Sequence, residues 1–210
     1  MKTFLLLIGS WLLFFGIRAQ TVTDIDGNIY NTITIGTQVW MKENLKVTHY
    51  MNGKEIPQVT DATAWSKLTT GAYCNFNNDD SKVTTYGRLY NFYAVLDSNN
   101  LCPADWRVPT NNEWLTLTDF LGGTSVAGGK MKETGTEHWL SPNTGASNSS
   151  GFTSVSAGSR NSNGGFEYFG IYADWWASME SDPSNGYHRG ISNSSAAVFR
   201  IVSARAFALS

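Results

Sequence analysis

An α+β domain is the fold class this sequence predicts, and three observations carry it. Strand-like stretches lie toward both ends of the chain, with two helical patterns between them. A full set of helix boundary signals occurs over residues 106–123. Charged residues make up only 15% of the chain, against a typical ~25%, while Asn, Ser, Thr and Gly abound. That uncharged, amide- and hydroxyl-rich chemistry suits a loop-rich domain and not a helical bundle. No internal repeat or linker divides the chain, and about 190 residues are enough to close one core. Residues 21–210 therefore read as a single domain.

The elements follow in order. Residues 4–17 form an apolar run behind Lys2 and end in Ile17-Arg18-Ala19. The run is short for a bilayer span and has the order of a secretory signal, so residues 1–20 are expected to direct export, with cleavage after Ala19 or Gln20. Asp24-Ile25-Asp26-Gly27-Asn28 alternates oxygen ligands as a calcium loop does, but it lacks the closing Glu, and Asp-Gly between apolar runs predicts a hairpin. Strands are expected over residues 29–35 and 38–41, a short helix over 61–68, and a solvated turn at Asn77-Asn78-Asp79-Asp80. A helix is expected over residues 86–96.

The next helix, residues 111–121, has the strongest local signal. Val108 before Pro109 favours extended backbone. Thr110 and Glu113 have the spacing of a capping box. Trp114, Leu117 and Leu121 share one face, and Gly122-Gly123 supplies the stop. Residues 141–150, rich in Asn, Ser, Gly and Thr, read as loop. Strands are expected over residues 151–157, 166–172 and 197–202, in a mixed, mostly antiparallel sheet.

Charge and motif content narrow the function. Without residues 1–20 the chain carries 13 basic and 17 acidic residues, a net charge of −4. That balance gives no footprint for nucleic acid or an anionic membrane. His49, His138 and His188 are far apart and no Cys-x-x-Cys occurs, so no metal site is legible. There is no Gly-x-Ser-x-Gly elbow, no phosphate loop and no prominent acidic pair. The residues therefore name no catalytic group and no cofactor.

Residues 106–114, Trp-Arg-Val-Pro-Thr-Asn-Asn-Glu-Trp, resemble the R-L-P-T-E-x-E-W signature of the formylglycine-generating-enzyme branch of the C-type-lectin-like fold. The whole of residues 21–210 is similar to the Fibrobacter succinogenes major paralogous domain, found on secreted proteins of Bacteroidetes-type bacteria. The resemblance is carried by residues 21–28, Ile35-Gly36-Thr37-Gln38-Val39-Trp40, Tyr86-Gly87-Arg88-Leu89-Tyr90-Asn91, Leu101-Cys102-Pro103, residues 128–135 and Asp174-Trp175-Trp176-Ala177-Ser178. It implies a C-type-lectin-like fold with mixed, mostly antiparallel sheets, two main helices and long loops. It also implies that the domain lacks its last strand.

Two cysteines in an exported chain make Cys74–Cys102 the simple disulfide, whereas the resemblance implies that Cys102 pairs with a cysteine on that further strand. The copper-holding cysteine pair of the enzymes is absent between residues 174 and 210, and so are the calcium-binding triplets of sugar-binding lectins. Fold likeness does not transfer activity. What the resemblance implies is an exported, non-catalytic binding domain for an extracellular protein or glycan, without stable membrane insertion after signal cleavage. The alternatives are a divergent enzyme of the superfamily and a structural surface protein. The segment after Asp174 resembles retroelement-diversified binding loops. Its candidate ligand-binding residues are Asp174, Glu180, Asp182, Tyr187, His188, Arg189, Arg200 and Arg205, with Trp175, Trp176 and Phe199 expected in the core.

Overall fold

The computed structural model describes residues 20–210, so the expected secretory signal lies outside the described residues except for Gln20. Antiparallel pairing starts at once. Strand β1 (Thr21–Thr23) pairs with β2 (Ile29–Ile35), and β2 with β3 (Gln38–Met41). The turn between β1 and β2 is the expected hairpin. Asp24 accepts from the Asp26 and Asn28 amides, the Asn28 side chain and the Tyr30 hydroxyl, and Gly27 has φ 83°. One buried carboxylate thereby organises the whole turn.

The next stretch departs from expectation. Helix α1 is a single turn, Ala62–Trp65, capped by Asp61, whose carboxylate accepts from the Ala64 amide. Strand β4 (Tyr73–Cys74) follows, then α2 (Val83–Tyr86). The single helix expected over residues 86–96 does not form. Gly87 has φ 72°, and a Cβ there would lie 2.6 Å from Asn44 Cβ. The chain instead ends α2 at that glycine, runs as β5 (Leu89–Asn91) and turns back into α3 (Phe92–Val95). Asn91 Oδ1 accepts from the Ala94 amide and so caps α3.

Helix α4 (Asn111–Phe120) stands where the capping box places it, with both reciprocal bonds made between Thr110 and Glu113. Helix α5 (Thr124–Met131) carries no strong sequence signal. Its Gly128 and Gly129 exist for contact, since a Cβ at either would meet the Ala197 or the Gly145 carbonyl within 2.5 Å. Lys132, just beyond, is fully buried, and its ammonium donates to the carbonyls of Thr144, Ser192 and Ser195. It ties the loop at residues 141–150, which is irregular as expected, to the C-terminal strands.

Two expected strands are corrected. Residues 151–157 form no strand; Ser154 makes only an isolated bridge to Lys132, and its carbonyl accepts from the Trp139 indole. The Ser154 backbone is bonded to Met131 and Glu133 at the end of α5, and the pairing goes no further. Residues 166–172 split: β6 (Ser159–Arg160) pairs with β7 (Phe166–Glu167), and then positive φ at Tyr168 and Gly170 breaks the extension. The last expected strand is present as β10 (Val198–Ala204). It lies in a sheet of order β10-β9-β8, with β8 (Tyr172–Asp182) and β9 (Asn185–Ser192) forming a long hairpin. Strand β11 (Ala208–Leu209) returns to the centre of a five-stranded sheet of order β4-β5-β11-β6-β7. The described residues are thus α+β, with antiparallel sheets.

Packing follows from these placements. Trp114 and Leu117 of α4 meet Ile35, Trp40, Ala173, Ala177, Ile191 and Val198 in one core cluster between the helix and the β8–β10 sheet. A second cluster around Trp65, Leu89, Ala157 and Ala208 lies under the five-stranded sheet. Cys74 and Cys102 are both buried and free, so the Cys74–Cys102 disulfide does not form. Among the described residues no helix is long and apolar enough to cross a membrane.

Candidate functional site

Register fixes the two faces of the C-terminal sheet. Arg200 stands opposite Arg189, and Arg189 opposite Trp175, so these three share the face toward α4. Ile201, His188 and Trp176 form the equivalent row on the other face. The eight residues singled out from sequence therefore separate.

Asp174, His188 and Arg189 are buried, at 5%, 4% and 3% exposure. Tyr187 and Arg205 are half-buried, and Glu180, Asp182 and Arg200 are exposed. Arg205 donates to Glu180 at 2.6 Å. Asp182 accepts from the Ser184 amide and the Asn185 side chain, which closes the β8–β9 turn. Hydrogen bonds from Asn185 and Ser184 hold the Asp182 carboxyl below its usual pKa. Arg200 lies over the Tyr187 ring with its Cζ 3.9 Å from the centroid. Of the three expected core aromatics, Trp176 is buried and Trp175 half-buried, but Phe199 is 41% exposed. Its neighbour Val198 faces the core under α4, so Phe199 points to the opposite face at the edge of the sheet.

Asp174 and His188 belong to a polar chain across the sheet. His188 Nε2 lies 3.0 Å from Ser203 Oγ; His188 Nδ1 lies 3.3 Å from Asp174 Oδ1, but the two are not aligned for a hydrogen bond. Gly190 leaves room for this, since a Cβ there would be 2.5 Å from Asp174 Oδ1.

Beside β8 opens a cleft of about 480 Å³, which sequence reasoning missed. Its walls are aromatic: Trp40 of β3, Trp106, Trp114 of α4, Phe152, and Trp175 and Trp176 of β8. Lys42, Glu43, Asn44, Arg107 and Glu113 supply its polar groups. The Trp175 indole donates to Asn44 Oδ1 at 3.0 Å, and the Trp176 indole to the Tyr90 carbonyl at 2.9 Å. The indole N–H groups of Trp40 and Trp114 are buried and, among the described residues, have no acceptor; Gln38 Oε1 likewise has no donor. Burial alone would raise the Glu113 carboxyl. The Thr110 amide, the Arg107 guanidinium and the Thr110 hydroxyl outweigh it and hold the pKa below the usual value. The cleft could have been sought in the density of tryptophan at residues 40, 106, 114, 175 and 176, but nothing in their spacing says that they converge.

Comparison with known families matches residues 33–207 to the Fibrobacter succinogenes major domain. The chain belongs to that family. No curated protein and no solved structure matches it. The span of the Fibrobacter succinogenes major domain takes in all eight residues proposed from sequence and every aromatic wall of the cleft. In this member of the family, no group of three or more His, Cys, Asp or Glu side chains is arranged to hold a metal among the described residues.

Proposed function

We propose that this is an exported, non-catalytic binding domain whose aromatic cleft takes a glycan met outside the cell. The C-type-lectin-like fold of the formylglycine-generating-enzyme type is part of the same reading. The observation that carries it is the cleft: five tryptophans and Phe152 around about 480 Å³, with Trp106 and Trp175 only half-buried and polar groups of Lys42, Glu43, Asn44 and Arg107 in its walls. Recesses of this size, mostly apolar with a few fixed polar groups, suit small ligands. A protein partner would need an area of about 800 Å² per side. Hydroxyl groups both donate and accept, so sugar hydroxyls complement Lys42, Glu43, Asn44 and Arg107 together, while the sugar ring faces lie on the half-buried indoles of Trp106 and Trp175.

The test is a glycan-array screen of the full chain followed by NMR titration of the strongest hit. Saturable movement of the Trp40 and Trp114 indole resonances, lost in Trp106→Ala, is the expected result. An array at background with unmoved indole signals would sink the reading.

One observation favours an enzyme instead: the Ser203, His188 and Asp174 chain has the order of contacts of a nucleophile, base and orienting acid. His188 and Asp174 are buried, however, no hydrogen bond joins His188 Nδ1 to Asp174 Oδ1, and none of the three lines the cleft. Covalent labelling of Ser203 by a fluorophosphonate would support hydrolysis and overturn the binding reading.

A further inference from the structure

Arg189 and Arg200 are directly opposed on β9 and β10, where like charges repel. Arg189 Nη2 donates to Asn111 Oδ1 at 2.6 Å, while its Nη1 is buried with no partner. Neither arginine enters an ion pair among the described residues, unlike Arg107 and Arg205, which hold Glu113 and Glu180. Burial, and then the charge of Arg200, pull the Arg189 pKa below the ordinary guanidinium value. A buried guanidinium without a counter-charge is a costly arrangement.

Asn111 is the first residue of the ten-residue helix α4, so Arg189 is aimed at the positive end of that helix. The carboxylate of the same turn, Glu113, is already taken up by the Thr110 amide at the N-cap and by Arg107. Arg189 and Arg200 thus stand side by side in register, Arg189 reaching the first residue of α4, and neither has a carboxylate partner among the described residues. Stacking on Tyr187 fixes the outer guanidinium.

We infer that Arg189 and Arg200, at the N-terminal end of α4, form a subsite for an oxyanion, the carboxylate or sulfate group of an acidic saccharide. This rests on the reading of the domain as a glycan binder. Guanidinium forks match the paired oxygens of carboxylate and sulfate; Arg200 is exposed to receive them, and Arg189 stands behind it with its Nη1 unpartnered. Trp175, next to Arg189 in the same row, is a wall of the cleft, so cleft and subsite adjoin.

NMR titration of the full chain tests this with sodium sulfate, sodium chloride at matched ionic strength, a digalacturonate and triglutamate. The backbone amides of Asn111 and Asn112 should shift saturably with sulfate and digalacturonate and not with chloride. Arg200→Gln, at an exposed position, should weaken both by about tenfold. Arg189→Met should abolish the shifts and melt no lower than the parent, because an apolar chain replaces an uncompensated buried charge. Shifts that never saturate and persist in both variants would reveal general salt effects and overturn the subsite. An equal response to triglutamate would overturn its assignment to a saccharide. A neutral oligosaccharide that moves the Trp40 and Trp114 indoles while digalacturonate and sulfate leave Asn111 still would remove the subsite and keep the binding reading. Saturable sulfate shifts at Asn111, with no saccharide moving the indoles, would keep the anion site and remove the glycan.

Discussion

At the scale of single residues, burial decides most roles, and burial is what one sequence shows least. Asp174, His188 and Arg189 look like surface polar groups when read along the chain, since Asp, His and Arg are seldom fully buried. Their burial follows from partners 14 to 78 residues away, such as Asn111 of α4 for Arg189 and Ser203 of β10 for His188. Asp24 was easier to read, because its partners lie within six residues and the Asp-Gly pattern already implies a turn. The cysteines yield a direct prediction. Burial pushes both thiols up to about 12, from an unfolded value of ~8.5. Their neutral form therefore stabilises the fold fully below pH ~8.5, and that contribution is lost as pH rises toward 12. Iodoacetamide at pH 8 should leave Cys74 and Cys102 unmodified in the native protein and alkylate both in denaturant, as read by mass spectrometry. A mass two units light that resists alkylation in denaturant would mean that the disulfide forms after all.

At the scale of elements, what was legible is what is local. Helix α4 declared itself because its start signal, apolar face and stop all fall within residues 108–123. Strands β2 and β3 were legible to the residue, since alternation and Gly36 define a tight hairpin. The helix expected over residues 86–96 failed for a non-local reason: the close approach of Asn44 demands a glycine with positive φ at residue 87. The β8–β9 hairpin escaped notice because β8 is nearly continuous in apolar and small residues until its register shifts after Trp176. Helix α4 also offers a measurable cap. Thr110→Ala should cost ~1 kcal/mol, the usual value of an N-cap, read as a lowered urea midpoint at unchanged slope. Glu113→Gln should act with a pH signature. The folded Glu113 pKa is depressed, so its contribution is present above the unfolded carboxylate value of ~4.3 and is lost as pH falls through the folded one. Parent and Glu113→Gln stabilities should therefore differ at pH 7 and converge in acid. A constant difference across that range would show that the carboxylate charge contributes nothing.

At the scale of the whole molecule, the fold class was legible but the closure was not. Strand-like stretches toward both ends of the chain implied a mixed, mostly antiparallel sheet, yet no pattern says that Ala208-Leu209 inserts between strands that precede it by more than a hundred and by about fifty residues. Ala208 pairs with both Asn91 and Arg160, and Leu209 with Tyr90, so two residues join the two halves of the five-stranded sheet. The Ser210 amide donates to the Asp174 carbonyl and so links this sheet to β8. Ala208 and Leu209 are fully buried, Leu209 against Phe92 and Trp176. The cleft depends on the same stitch, because Leu209 and Ser210 line it beside Trp176. Removing residues 208–210 would open the sheet at its centre, strip backbone partners from β5 and β6, and expose Phe92 and Trp176. Full burial of a leucine side chain alone is worth about 1.5–3 kcal/mol, and orphaned buried backbone groups add about 1–3 kcal/mol each. A domain of this size has only about 5–15 kcal/mol in hand. The truncated chain should therefore lose its cooperative thermal transition, or melt tens of degrees lower, with its tryptophan fluorescence shifted to the red. A truncated chain that melts within a few degrees of the parent would show that the two halves of the sheet hold together without β11, and that the cleft wall it provides is dispensable.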